Sequence, residues 1–212
     1  LEAKGVRVFA LPENCREIDA CSFWCDKTPF VLLNTEVSNE RMRFDMAHEL
    51  LHLVAHRHSS PFGKAAEDEA NCFAREFLMP AESVQVNRAR VWTLDTLISK
   101  KRVWNVSVSA LAYRLHSLGY LSDWHFKSLN IEILRRGYKT DEPNGTPLEQ
   151  SRILELLLAS MREKGMPLRF LANQVRLPLD ELRGFFLGLA RVSVDGLAEL
   201  GNKPQATLRV VK

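Results

Sequence analysis

The sequence lacks any apolar run near the roughly 20 residues that span a membrane. Its start also lacks the charged, apolar and small-residue order of a secretory leader. No membrane partner is therefore expected, and a cytoplasmic location is. Cysteines are few: Cys15, Cys21, Cys25 and Cys72 in 212 residues, 46% of them hydrophobic. A chain of that size can bury a real core, so a disulfide scaffold has little to add and the thiols read as reduced. Cys21-x-x-x-Cys25 has no matching pair downstream, which argues against a metal site built on it. Internal repeats and low-complexity tracts are missing as well. Length suggests one or two ordinary globular domains. Net charge is only +3, but it is uneven. Residues 1–90 carry −3, residues 91–140 carry +5 and residues 141–212 carry +1. The middle segment is thus the candidate for an acidic partner such as DNA.

What the chain does have is Ala47-His48-Glu49-Leu50-Leu51-His52. The stretch from Phe44 to His56 has no Pro or Gly, and Met46, Leu50, Leu53 and Val54 are spaced as one buried helical stripe. Ser38 stands where a cap would. On a helix, His48 and His52 leave one face a turn apart, spaced to hold one Zn²⁺. Glu49 lies about 100° round from His48, beside the metal and free to accept a proton from an attacking water. A second helix is expected from Glu67 to Pro80, with Ala70, Phe73, Ala74, Phe77 and Leu78 inward and Pro80 as a stop. Glu67 is a candidate third ligand. Asn71, one turn on, could hydrogen-bond a ligand histidine and orient its ring. Three protein ligands leave a position open for water, the arrangement of a catalytic site. His56, a turn beyond His52, reads as a supporting or surface residue. One cysteine thiolate could occupy the open position and hold the enzyme off.

These two segments resemble the ImmA/IrrE family of H-E-x-x-H metallopeptidases. The likeness rests on Ala47 to His52, on Glu67-Asp68-Glu69-Ala70-Asn71-Cys72-Phe73-Ala74 and on Leu78-Met79-Pro80. It extends upstream to Ser22-Phe23-Trp24 and Pro29 to Asn34, and weakly down to Tyr138. It implies Glu67 rather than Glu69 as third ligand. Leu50-Leu51 departs from the Gly that many members carry before the second histidine. The resemblance also implies a small zincin-like sheet over the motif helix, whose edge can pair with an extended substrate. Members often carry an N-terminal helix-turn-helix domain, so a chain beginning at Leu1 reads as a fragment of a longer protein.

The fold class expected is α+β: a small sheet and the motif helix, then mostly helical segments. Strands are expected at Val6–Ala10, Cys21–Cys25 and Phe30–Leu33, with breaks at Pro12-Glu13-Asn14 and Asp26-Lys27-Thr28-Pro29. The divisions expected are a metallopeptidase domain over 1–90, a helical segment over 91–140, a linker over 141–148 and a small helical domain over 149–212. Helices are expected from Leu94 to Trp104 and from Val108 to Leu118, ended by Gly119. The pair has helix-turn-helix shape. One reading puts Ser109, Arg114 and His116 toward DNA, with Lys100, Lys101 and Arg102 near phosphates. The preferred reading packs the pair on the peptidase. Tyr113, Arg114 and His116 are also candidates for oxyanion donors. A helix over Ser122–Gly137 follows, then helices over Leu148–Glu163, Leu168–Val175 and Leu179–Leu189. The apolar Phe185, Phe186, Leu187 and Leu189 suit packing or a homodimer. A last strand is expected over 206–211.

The function expected is a zinc-dependent endopeptidase with Glu49 as general base. The resemblance implies a helix-turn-helix repressor as substrate, with repression relieved in a stress, DNA-damage or mobile-element and phage-defence response. Single- or double-stranded DNA is a candidate activator. The alternative is a DNA-binding stress regulator whose zinc site is not catalytic. A digestive protease fits poorly with a chain that has no secretion signal.

Overall fold

The computed structural model describes residues 1–12, 15, 17–57 and 63–190. The fold is α+β, as the sequence pattern indicates. Three strands come first: β1 (Arg7–Ala10), β2 (Ala20–Cys25) and β3 (Thr28–Leu33). They form one sheet in the order β1-β3-β2. β1 runs parallel to β3, with Arg7 opposite Phe30, and β2 runs antiparallel, with Cys25 opposite Thr28. The hairpin between β2 and β3 is therefore only Asp26-Lys27, with Asp26 at φ 54. Thr28 and Pro29, expected in the turn, belong to β3. Pro29 is tolerated because the β1 ladder begins one residue later, so this end of the central strand still behaves as an edge.

The motif helix is α1 (Asn39–Ala55), capped by Ser38, whose side chain accepts the Arg41 N–H. Leu53 is buried, but Val54 is 72% exposed, against expectation. The buried side of α1 includes Met42, Ala47 and Glu49 instead, because the helix packs against both β2 and α2. α2 (Lys64–Leu78) buries Ala70 and Ala74 completely, whereas Phe77 is 57% exposed and stacks on Phe73. Pro80 does stop α2, yet it also opens a short helix that was not expected, α3 (Ala81–Val86). α4 (Leu94–Lys100) runs into a 3-10 turn over Lys101–Val103, and Trp104 rather than Val103 turns inward. α5 (Val108–Ser117) ends at Gly119, φ 76, where the chain needs the left-handed conformation. α6 (Asp123–Arg135) completes this half.

The rest is α7 (Arg152–Glu163), α8 (Leu168–Val175) and α9 (Leu179–Gly184). α7 starts four residues later than expected because Ser151 caps it, and α9 ends before Phe185. The apolar run after α9 packs rather than coils: Phe186, Leu189 and Ala190 join Val6, Val8, Val31 and Leu33 in one core cluster. The Phe185 carbonyl accepts the Ala10 N–H, which covers the outer edge of β1. Gly188 at φ 74 lies so close to Thr35 that a Cβ there would sit 2.7 Å from it. A second cluster joins Met79, Val84, Trp92, Leu97, Leu111, Leu115 and Ile133 across α3 to α6. The expected strand at 206–211 lies outside the described residues, as do Glu13 and Asn14 of the expected break.

Buried polar contacts tie the start of α1 to the helical half. Lys101 Nζ lies 3.0 Å from Glu40 Oε1 and 3.1 Å from Glu142 Oε1, with all three side chains at most 5% exposed. Glu142 also accepts the Val108 N–H at 2.9 Å, and Glu40 accepts the Thr146 N–H at 3.0 Å. Asn39 donates to Thr146 Oγ1 at 2.8 Å and accepts the Glu149 N–H at 3.0 Å. Residues 141–149, linker-like in composition, are thereby held against α1. Burial pushes the Glu142 carboxyl up, partly offset by the Val108 N–H and Lys101.

Removing one partner of a buried charge cluster strands the others. Lys101→Ala is expected to lower stability by about 3–5 kcal/mol in urea unfolding. Arg136→Ala, which removes an exposed i,i+4 pair with Glu132, is expected to leave the midpoint unchanged.

Candidate metal centre

α1 and α2 bring three potential ligands together. His48 and His52 project from α1 with ring centroids 4.8 Å apart and Nε2 atoms 3.0 Å apart. α2 begins just after Gly63, so Glu67 lies in its first turn, where free N–H groups favour a carboxylate. Glu67 Oε2 is 3.1 Å from His48 Nε2, and Oε1 is 3.6 Å from His52 Nε2. Tetrahedral ligands on a metal at 2.0–2.1 Å stand about 3.3 Å apart. The three donor pairs bracket that spacing, and two imidazoles with one carboxylate suit a borderline divalent cation. The residues present therefore fit a metal ion. Among the described residues this is the group of such side chains whose ligand atoms converge, all within 4.8 Å. It holds no cysteine.

Each histidine is oriented from behind. His48 Nδ1 lies 3.2 Å from Asn71 Oδ1, which can only accept, so Nδ1 carries the proton and Nε2 presents its lone pair to the cluster. His52 Nδ1 lies 2.8 Å from His56 Nδ1, and His56 Nε2 lies 3.3 Å from Glu69 Oε2. With His52 donating to His56, and His56 donating to Glu69, the chain is consistent throughout. His56 is thus a support for His52, and Glu69, set aside as a ligand, ends the chain. The repeated four-residue spacing of His48, His52 and His56 was the signal for this. Burial holds the His52 imidazolium below its usual range, with Glu49 opposing.

Glu49 is 7% exposed and sits between α1 and the sheet. Its Oε2 accepts a hydrogen bond from Ser22 Oγ at 2.6 Å. The H-E-x-x-H motif did not reveal this contact, and Ser22 entered the sequence reading only through the family resemblance. Ser22 stands on β2, and only strand packing brings it to the helix. The site opens into a cleft of about 780 Å³. Ser22 and Cys21 of β2 line it, as do Tyr113 and Ser109 of α5. Burial, then the charge of Glu49, push the Cys21 thiol up.

Of the three oxyanion candidates, Tyr113 lines the cleft. Arg114 is 3% exposed and turned away, donating to both carboxylate oxygens of Glu76 at 2.6 Å and to the Met79 carbonyl at 3.0 Å. His116 contacts Asp123 at 2.7 Å and stacks on Phe126. Of the residues considered for DNA contact, Lys101 lies in a buried ion cluster, the buried Arg114 pairs with the half-exposed Glu76, and Ser109 has a buried hydroxyl.

The family model Peptidase_M78, described as the IrrE N-terminal-like domain, matches residues 1–116. That span includes β1 to β3, both ligand-bearing helices and nearly all of α5. No curated protein matches the chain.

Asp45 also lines the cleft, and burial pushes its carboxyl up to about 7, Arg41 opposing. A folded-state value above the unfolded one favours the fold at low pH, and this contribution is lost as pH rises from about 4 through about 7. In metal-free protein, Asp45→Asn is expected to be more stable than the parent at pH 8. The gap should shrink by up to about 1.4 kcal/mol per pH unit towards pH 4.5. Urea unfolding at a series of pH values checks the slope.

Proposed function

The chain belongs to the Peptidase_M78 family, the IrrE N-terminal-like domain, and from that premise we propose that it is a zinc-dependent regulatory endopeptidase. The observation that carries this is the convergence of His48, His52 and Glu67 with Glu49 buried beside them. A zinc ion held by these three would polarise the scissile carbonyl and acidify the attacking water. Glu49 accepts that water's proton as the oxygen bonds to the carbonyl carbon. It then passes the proton to the leaving nitrogen as the C–N bond breaks. Ser22 holds Oε2 of Glu49, which leaves Oε1 for the water. Tyr113, which lines the cleft, is the side chain we take as donor to the developing oxyanion.

The substrate enters along β2. Its outer edge has no backbone partner among the described residues, whereas that of β1 bonds to Phe185. An extended peptide added to β2 would pass Ser22 and Glu49. We take that peptide to be part of a helix-turn-helix repressor, cut in the cytoplasm to relieve repression under DNA damage or another stress. No described helix is long and apolar enough to cross a membrane. DNA remains the proposed activator, through the exposed Arg102, Lys127, Arg135, Arg136 and Lys139. The other reading, a DNA-binding regulator with a non-catalytic site, rests on the +5 balance of residues 91–140. Two of those cations, Lys101 and Arg114, face inward.

The test is cleavage of the repressor encoded beside this protein by the zinc-loaded chain, with and without single-stranded DNA. Glu49→Gln is expected to keep its zinc, measured by elemental analysis, and to lose at least about two orders of magnitude in cleavage. His48→Ala, His52→Ala and Glu67→Ala are expected to lower zinc stoichiometry. Retained cleavage in metal-replete Glu49→Gln would overturn the mechanism.

A further inference from the structure

One wall of the cleft carries a carboxyl group that its neighbours neutralise only in part. Asp45 stands on α1 three residues before His48 and four before Glu49, so its side chain leaves the same side of the helix one turn earlier. The side chain is 14% exposed and lines the cleft, and its Oδ2 is buried without a hydrogen-bond partner. Arg41 serves it only through a long i,i+4 ion pair. Arg41 Nε lies 3.9 Å from Oδ2, beyond hydrogen-bond range, while Arg41 Nη2 bonds Asp19 at 2.6 Å. Asp19 lines the same cleft, so one guanidinium faces two carboxylates. Glu142, also on this wall, is drawn inward by Lys101, and Lys139 at the rim makes no ion pair with Asp19 or Asp45 among the described residues.

A largely buried carboxylate with so distant a counter-charge costs free energy, and a cation that meets the exposed part of the side chain from the cleft offsets part of that cost. Its elevated protonation range is the same fact seen in solution terms. Resting on the reading of this cleft as a peptidase site, we propose that Asp45 selects a cationic side chain of the substrate, an arginine or lysine close to the cleaved bond. The spacing supports that position. Residues one helical turn apart have Cβ atoms about 5–6 Å apart, and an extended peptide advances about 3.3 Å per residue. The side chain that meets Asp45 therefore belongs to a residue one or two steps from the bond held at His48 and Glu49. A guanidinium or ammonium supplies a charge-assisted hydrogen bond. A neutral isostere supplies a weaker one, and an acidic side chain is repelled.

Two assays on the full chain test this. In the first, the zinc-loaded protein, with single-stranded DNA present, digests a randomised peptide library beside the neighbouring repressor, and new termini are sequenced by mass spectrometry. Arginine and lysine are expected to be enriched at one position within two residues of the cut. Asp45→Asn should abolish the enrichment, and Asp45→Lys should turn it toward Asp and Glu. The second assay does not need turnover. Immobilised Glu49→Gln protein is expected to retain arginine peptides about tenfold or more over their citrulline twins, and to lose that selectivity when Asp45→Asn is added. Cleavage without a basic preference, or a preference unchanged in Asp45→Asn, would overturn the proposal. Arginine-selective retention without any cleavage would overturn the peptidase reading and leave the cation subsite standing. Neither cleavage nor selective retention would overturn both.

Discussion

Lys101 Nζ between Glu40 and Glu142 is the contact on which the rest of the structure depends. It joins the first turn of α1, the 3-10 turn after α4 and the segment after α6. An ion cluster that deep gains little net stability over well-packed apolar groups, because desolvation offsets the attraction. What it does provide is a fixed position. Two carboxylates accept one ammonium, and backbone N–H groups of Val108 and Thr146 fill further lone pairs. The start of α1 can then meet the helical half in one arrangement, and everything further along α1 inherits that placement.

The second constraint is the approach of α2. Ala70 and Ala74 are wholly buried, so α2 can lie close to its neighbours where longer side chains would hold it away. Arg114 grips Glu76 and the Met79 carbonyl from the α5 side, which pins the far end of α2. Held in this way, Glu67 and Asn71 meet His48 from the opposite helix. The cleft is thus walled by elements from both core clusters: β2 and α1 on one side of the chain order, α5 on the other. Ser22 on β2 and Asp45 on α1 both line it.

The α+β class and the spacing of His48, Glu49 and His52 on one helix were legible in the chain because they follow from local rules. A 3.6-residue period fixes how far apart His48 and His52 stand, and it places Glu49 beside them without any knowledge of the fold. Caps at Ser38 and Gly119, and the strands at Arg7, Ala20 and Thr28, were equally local. Misreadings came where neighbours distant in sequence decided. Val54 continues the apolar stripe of α1 yet meets solvent, because α1 is flanked by β2 and α2 and not by a single core. Phe185 to Leu189 extended a helical pattern but packs as a turn against the sheet.

Sequence alone therefore determined which residues could ligate a metal and in what local geometry, since helix spacing needs only neighbouring residues. Tertiary structure decided the environment of each group. Ser22 reaches Glu49 across 27 positions and Lys101 reaches Glu40 across 61. Asp45 shares the Arg41 guanidinium with Asp19, which takes the shorter contact. Burial and long-range pairing are properties of the packed chain, and no local pattern encodes them.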